Sequence, residues 1–287
     1  MSGLKEIRNR ISSVSSTMQI TNAMKMVSAA KLKKAQDSIS ATLPYSNKLS
    51  GLIQNISTSG ESLESPFFIK REINKALIVA ITSNKGLCGG FNSNVIKKVL
   101  KFIETKYSSK KVEIVCIGKK GADILSKKNN VIDSFNSVYD EFSYENVKTI
   151  AELLMEKFSD ESYDEITLVY NHSKNAGTQI LTVEPYLPIE ENKEESTSKP
   201  TGDYIFEPSQ SEILNELIPK ALIVQLFKAI SDSIAGEHGA RMTAMHKATD
   251  NASELRDQLK LTYNKARQTA ITNEILEIVG GAEALNS

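Results

Sequence analysis

Apolar residues near the start of the chain recur at alternating steps of three and four: Leu4, Ile7, Ile11, Val14 and Met18. That heptad keeps one narrow seam of a helix turned toward a partner helix. Beyond Met18, Lys25 stands where the seam asks for an apolar group. The apolar residues move to Ile20, Met24, Val27 and Ala30, so the register is expected to slip there and the seam to loosen. The helix is predicted from about residue 3 to 55, roughly 80 Å at 1.5 Å per residue, with Pro44 a site for a kink. The end of the chain mirrors the beginning. Ser209 and Glu212 read as a capping box behind Pro208. Pro219 is expected to break or kink the first turns. No proline follows from Lys220 to about Val279, where Gly280-Gly281 supplies a stop. A second seam is read through Met242, Met245, Thr249, Ala252, Leu255, Leu259, Thr262 and Ala266. Two long single-seam helices joined by a compact domain bury those seams most simply against each other, as an intramolecular antiparallel pair.

Between them, about residues 70–205, the rhythm changes. Lys75–Thr82 is a continuous apolar run, the mark of a strand covered on both faces. A glycine-rich turn and a helix over Ser93–Tyr107 follow. Then come a strand over Val112–Gly118, a short helix over Gly121–Lys128 and a helix over Tyr144–Phe158. Glu165–Asn171 and Thr178–Leu187 read as strands joined at Asn175-Ala176-Gly177, a hairpin signal. This alternation predicts a small, mostly parallel sheet with an antiparallel edge. Three regions result: helix 1–57, α/β domain 70–205 and helix 208–287, the two helices pairing. The polar stretch Ile189–Pro200 reads as a solvated loop and is assigned no role.

Composition narrows the function classes. The 287 residues suit about two domains. Lys plus Arg equals Asp plus Glu at 35 each, so the overall field steers neither nucleic acid nor anionic lipid. Residues 1–57 hold eight basic and two acidic residues, so the first helix reads as the basic part and the rest as mildly acidic. No run of 18 apolar residues spans a membrane, and Met1–Ser16 lacks the apolar core of a signal peptide. Cys88 and Cys116 form no metal or disulfide pattern and are expected in the core of the sheet domain. His172, His238 and His246 are not spaced as metal ligands and read as surface residues. The segment Ser83–Asn92 lies where phosphate loops sit, between a buried strand and a helix. Its spacing fits neither Gly-x4-Gly-Lys-Ser/Thr nor GxGxxG, which favours a tight turn with glycine dihedrals.

Three separated stretches carry a resemblance. Ile7–Ile11 and Met18–Val27 open the chain, and Gly86–Asn92 lies in its middle. Near the end come Glu237–Met245, Ala248–Ala252 and Tyr263–Ile275, closed by Glu277–Ala282. Together they resemble the gamma-subunit family of the F-type ATP synthase, the central shaft of that rotary motor, over essentially the whole chain. The resemblance implies an α/β fold class: a long antiparallel coiled coil of the terminal helices plus a central Rossmann-like domain. It implies no active site and no cofactor of the chain's own, catalysis belonging to partner subunits. The implied partners are the alpha and beta subunits of the hexameric ring, the epsilon subunit and the c-ring, with no nucleic acid. Attachment to the cytoplasmic face of a bacterial plasma membrane would come only through the complex. By motif position Met24, Lys25, Arg241, Gln268 and Thr272 match the family's energy-coupling positions, with Met24 expected to point outward at a partner. Gly86, Gly89 and Gly90 are then a structural turn or docking surface, and Ile275–Leu285 an apolar bearing. Plastid-type thiol regulation is not expected, because both cysteines belong to the sheet domain.

Overall fold

The computed structural model describes residues 2–57, 65–189 and 210–286. It divides into two compact units, Ala29–Ala240 and the pair of segments Met1–Ser28 and Arg241–Ser287. Helix α1 (Ser2–Ser57) and the last helix, α5 (Gln210–Asn286), contribute to both.

The larger unit is built on five strands: β1 (Lys75–Ile81), β2 (Lys111–Ile117), β3 (Val131–Phe135), β4 (Glu165–Asn175) and β5 (Thr178–Leu187). Their order is β3-β2-β1-β4-β5, parallel except for β5, which runs antiparallel to β4. The unbroken apolar run of β1 follows from burial on both faces. Leu77, Val79 and Ile81 enter one core with α4 (Tyr144–Ser159) and the early turns of α5. Ala76, Ile78 and Ala80 enter the other, under α2 (Phe91–Lys106) and α3 (Lys119–Leu125). Strand β3 is absent from the sequence reading. It has five residues, and Asp133 and Ser134 are exposed, so neither length nor alternation announces it. Strand order, not pattern, makes it the edge. Ser143 caps α4, its hydroxyl accepting from the Asn146 N–H at 3.3 Å.

Neither Pro219 nor Gly280-Gly281 ends α5. The helix runs through Pro219, where Leu214, Ile218 and Leu222 are almost wholly buried, so packing outweighs the one lost backbone donor. It also runs through Gly280-Gly281, neither of which adopts the left-handed conformation that ends a helix. Ser209 lies outside the described residues; Glu212 is in the first turn of α5. The polar stretch after Ile189 also lies outside them.

In the smaller unit the helices run antiparallel. Arg8 Nη2 donates to Tyr263 Oη at 3.1 Å, Arg256 Nη1 lies 3.7 Å from Met18 Sδ, and the hydroxyls of Thr21 and Thr249 meet at 2.8 Å. As one residue number rises the other falls, which fixes the direction. The expected slip after Met18 does not occur. The heptad continues through Thr21 and Ser28, both buried, while Ile20 and Val27 are 60% and 57% exposed. Each seam hydroxyl is satisfied within its own helix, Thr21 by the Met18 carbonyl and Ser28 by that of Met24, so polar residues hold seam positions without an orphaned group. The C-terminal seam is likewise corrected at two places. Leu255 and Thr262 are exposed, and Arg256 and Tyr263 are half-buried in their stead. Their long stems and ring cover apolar surface while the polar tips reach across the seam.

Candidate functional site

Open α/β sheets bind ligands at the carboxyl ends of the strands, where the strand order reverses. Here that point lies beyond β1 and β4, and the turn Ser83–Asn92 forms part of its rim. The turn is closed on itself. The Ser83 N–H donates to Asn92 Oδ1 at 2.9 Å, and Asn92 Nδ2 donates back to Ser83 Oγ at 2.8 Å and to Cys88 Sγ at 3.3 Å. Ser83 Oγ donates to the Lys85 carbonyl at 2.7 Å. Asn84 ties the turn to its neighbours, donating to the Asn136 carbonyl and accepting from the Lys119 N–H. Left-handed backbone occurs at Gly89 (φ 60°) and, unexpectedly, at Leu87 (φ 61°), while Gly86 and Gly90 need no such freedom.

The crevice itself is filled by α5. A Cβ on Gly236 would stand 3.3 Å from Gln179 Cγ and 3.4 Å from both the Asn171 carbonyl and the Phe91 ring. One on Gly239 would stand 2.5 Å from the Ala176 carbonyl. Ser231, Asp232, Ser233 and Glu237 are all buried there. Asp232 meets His172 Nδ1 at 2.8 Å, so this histidine, its side chain 44% exposed, lies at the surface but anchored to a buried carboxylate. The Tyr139 hydroxyl, its pKa raised by burial and then by nearby Glu237, donates to the Thr82 carbonyl. Glycine at 236 and 239 thus lets α5 approach the strand ends closely. His246 has an acidic neighbour one turn on, Asp250 at 3.4 Å. Among the described residues no cluster of His, Cys, Asp and Glu could hold a metal.

At the opposite, amino-terminal end of the parallel strands each face of the sheet carries a buried carboxylate, Glu113 on β2 and Glu165 on β4. Glu113 accepts from the Tyr163 hydroxyl and lies near Lys75 (3.4 Å) and Lys111 (3.6 Å). Burial works to raise its pKa; the tyrosine bond and the lysines outweigh this and hold it below the ordinary value. Glu165 accepts from Tyr107 at 2.9 Å and from Lys106. These are structural anchors, each with its own cation. Cys88 and Cys116 are buried free thiols, and burial pushes Cys116 up to about 12.

The residues singled out by motif do not form one site. Met24 and Lys25 are half-buried along the pair. Arg241 is 7% exposed. Gln268 and Thr272 are exposed, and Gln268 lies about 40 Å along α5 from Arg241 at 1.5 Å per residue. The register set by Arg8–Tyr263 places residues beyond about 270 past the described start of α1. There Ile271, Ile275, Leu276, Ile278 and Val279 are 48–66% exposed. Sequence reasoning missed Arg256 and Tyr263, although both lie at sevenfold spacing from Thr249; choosing apolar letters over spacing hid them.

The family model described as ATP synthase matches residues 3–285. Over its whole length the chain is 61% identical to the ATP synthase gamma chain of Flavobacterium johnsoniae, covering all of both. It is 62% identical to that of Flavobacterium psychrophilum, covering 99% of each. The fold is similar to a chain from the rotor of the Euglena gracilis mitochondrial ATP synthase, with a TM-score of 0.68, 20% identity, and coverage of 94% of this chain and 99% of that one.

Proposed function

This chain belongs to the ATP synthase gamma-chain family, and we propose that it acts as the non-catalytic rotor of such an enzyme. In this reading it turns with a c-ring at the membrane and biases each catalytic subunit of an alpha–beta ring in turn, with an epsilon subunit beside it. The supporting observation is the exposed apolar tail of α5: five large aliphatic side chains on one stretch of helix with no partner among the described residues. Apolar contact is non-directional, so a surrounding sleeve can hold such a helix tightly in any rotational setting. The filled crevice at the strand ends supports the absence of a catalytic role. Coupling through unequal contacts is reciprocal, so ATP hydrolysis would drive the shaft in reverse.

Met24, Lys25, Arg241, Gln268 and Thr272 are proposed as coupling contacts. Arg241 is suited to a bidentate bond with a carboxylate that lysine could not reproduce. The experiment is co-purification with a tagged catalytic subunit, then ATPase and proton-pumping assays on inverted vesicles. Arg241→Ala and Gln268→Ala are expected to assemble yet lose ATP-driven pumping. Unchanged pumping in both removes their roles, and failure of the wild-type chain to assemble removes the rotor reading.

A further inference from the structure

The net neutrality of the chain conceals a second basic region. Residues 91–130 contain ten lysines, no arginine, and three acids: Glu104, Glu113 and Asp123. The sequence reading of everything beyond the first helix as mildly acidic is therefore wrong for this segment. Because α2 and α3 cover the same face of the sheet, the exposed Lys97, Lys101, Lys119, Lys127 and Lys128, on or beside those helices, lie on that side of the domain. Three of the ten lysines are engaged: Lys106 with Glu165, Lys111 with Glu113, and Lys120 with Asp123. The other seven, among them Lys97, Lys101, Lys119, Lys127 and Lys128, have no carboxylate within ion-pair distance among the described residues. Between the end of α2 and the α3–β3 turn lies an open cleft of about 500 Å³. It is lined by Glu104, Ser108, Lys110, Lys128, Asn129 and Asn130. Exposed Ile124, at 50%, stands on the same helix layer.

We propose that the outer face of α2 and α3 rests on an anionic lipid surface, with the cleft admitting a phosphate headgroup. The choice of residue carries the argument. Interfaces between proteins are enriched in arginine and depleted in lysine, whereas lysine is a compact, hydrated charge suited to a diffuse layer of phosphates. Each lysine near such a surface adds to binding, which fades within a Debye length. Among the described residues the outer face shows no aromatic platform of the kind single-stranded nucleic acid needs: Phe91 and Tyr107 are buried and Phe102 packs against Tyr107. This rests on the reading above, which places the chain in a membrane-bound assembly.

The test uses the full-length chain and sedimentation with phosphatidylcholine vesicles, with and without about 30% phosphatidylglycerol, from about 0.05 to 0.5 M salt. Binding is expected only with the anionic lipid and is expected to fall with salt. The quadruple variant K97E/K101E/K127E/K128E, checked for native circular dichroism, is expected to bind at least about tenfold more weakly. Reversal of Lys31, Lys33 and Lys34 on the first helix is expected to matter less. Equal binding to neutral vesicles, an unaffected quadruple variant, an equal loss from the first-helix variant, or equally tight binding of duplex DNA would each overturn the assignment. Co-purification with the catalytic subunits separates the two readings. A wild-type chain that assembles with the catalytic subunits but shows no preference for anionic vesicles sinks this inference alone.

Discussion

Replacing Gly239 by alanine tests how closely α5 must approach the β4–β5 hairpin. The added methyl would stand 2.5 Å from the Ala176 carbonyl oxygen. An ordinary carbon–oxygen contact is about 3.3 Å, so helix and hairpin must separate by about 0.8 Å. The obstacle is backbone, which cannot swing aside as a side chain can. Overpacking of this kind costs about 1–3 kcal/mol, and alanine returns up to about 1 kcal/mol as the better helix former. A net loss of about 1–2 kcal/mol is expected, seen as a lower urea midpoint with an unchanged slope in the full-length chain. Native-state amide exchange at residues 171–180 should accelerate, because the hairpin is what yields. Gly280→Ala is the control. Nothing lies within 4 Å of its added methyl, so the same substitution should stabilise by a few tenths of a kcal/mol. A Gly239→Ala chain as stable as the parent, with hairpin exchange unchanged, would refute the close-approach argument.

Acid unfolding should respond to Tyr163→Phe. Glu113 is held below the ordinary carboxylate pKa, so its contribution is present above that value and lost as pH falls through the lower folded one. Without the tyrosine hydroxyl the folded pKa moves up, and the acid midpoint followed by circular dichroism should shift to higher pH; a fixed midpoint would contradict the assignment. Neither thiol should react with iodoacetamide at pH 8 in the native chain, since Cys88 and Cys116 are at most 2% exposed and Cys116 is raised to about 12. Mass spectrometry should show both alkylated after unfolding and none before. Valine at both Thr21 and Thr249 should leave stability within about 1 kcal/mol of the parent, because the two hydroxyl protons are shared among the Met18 and Met245 carbonyls (3.1 Å and 2.8 Å) and the contact between them, and removing both hydroxyls together leaves no buried donor unpaired. A larger loss by thermal unfolding would mean that the bond between them carries the seam.

Periodicity made the elements legible where burial is simple. The heptad from Leu4 to Met18 and the two-faced apolar run of β1 each answer to one physical demand, so composition along the chain suffices. The parallel sheet with its antiparallel edge was readable for the same reason, as was the asparagine–glycine hairpin. The motif-bearing segments were legible as segments, but the geometry behind them was not. Gly239 matters for an oxygen atom more than sixty residues away, and no local pattern points to Ala176. Arg256, Tyr263, Thr21 and Ser28 hold seam positions that a search for apolar letters passes over. Only a neighbouring helix, or the residue's own carbonyl, makes them suitable. The lysines of α2 and α3 look scattered in a chain whose charges cancel, until the crossovers place both helices over one face of the sheet. Sequence alone therefore determined which segments bury apolar surface, because that depends on each residue's own transfer to or from water. Tertiary structure decided which polar groups are satisfied, how near two backbones come and where like charges gather, because those depend on atoms brought together from distant parts of the chain.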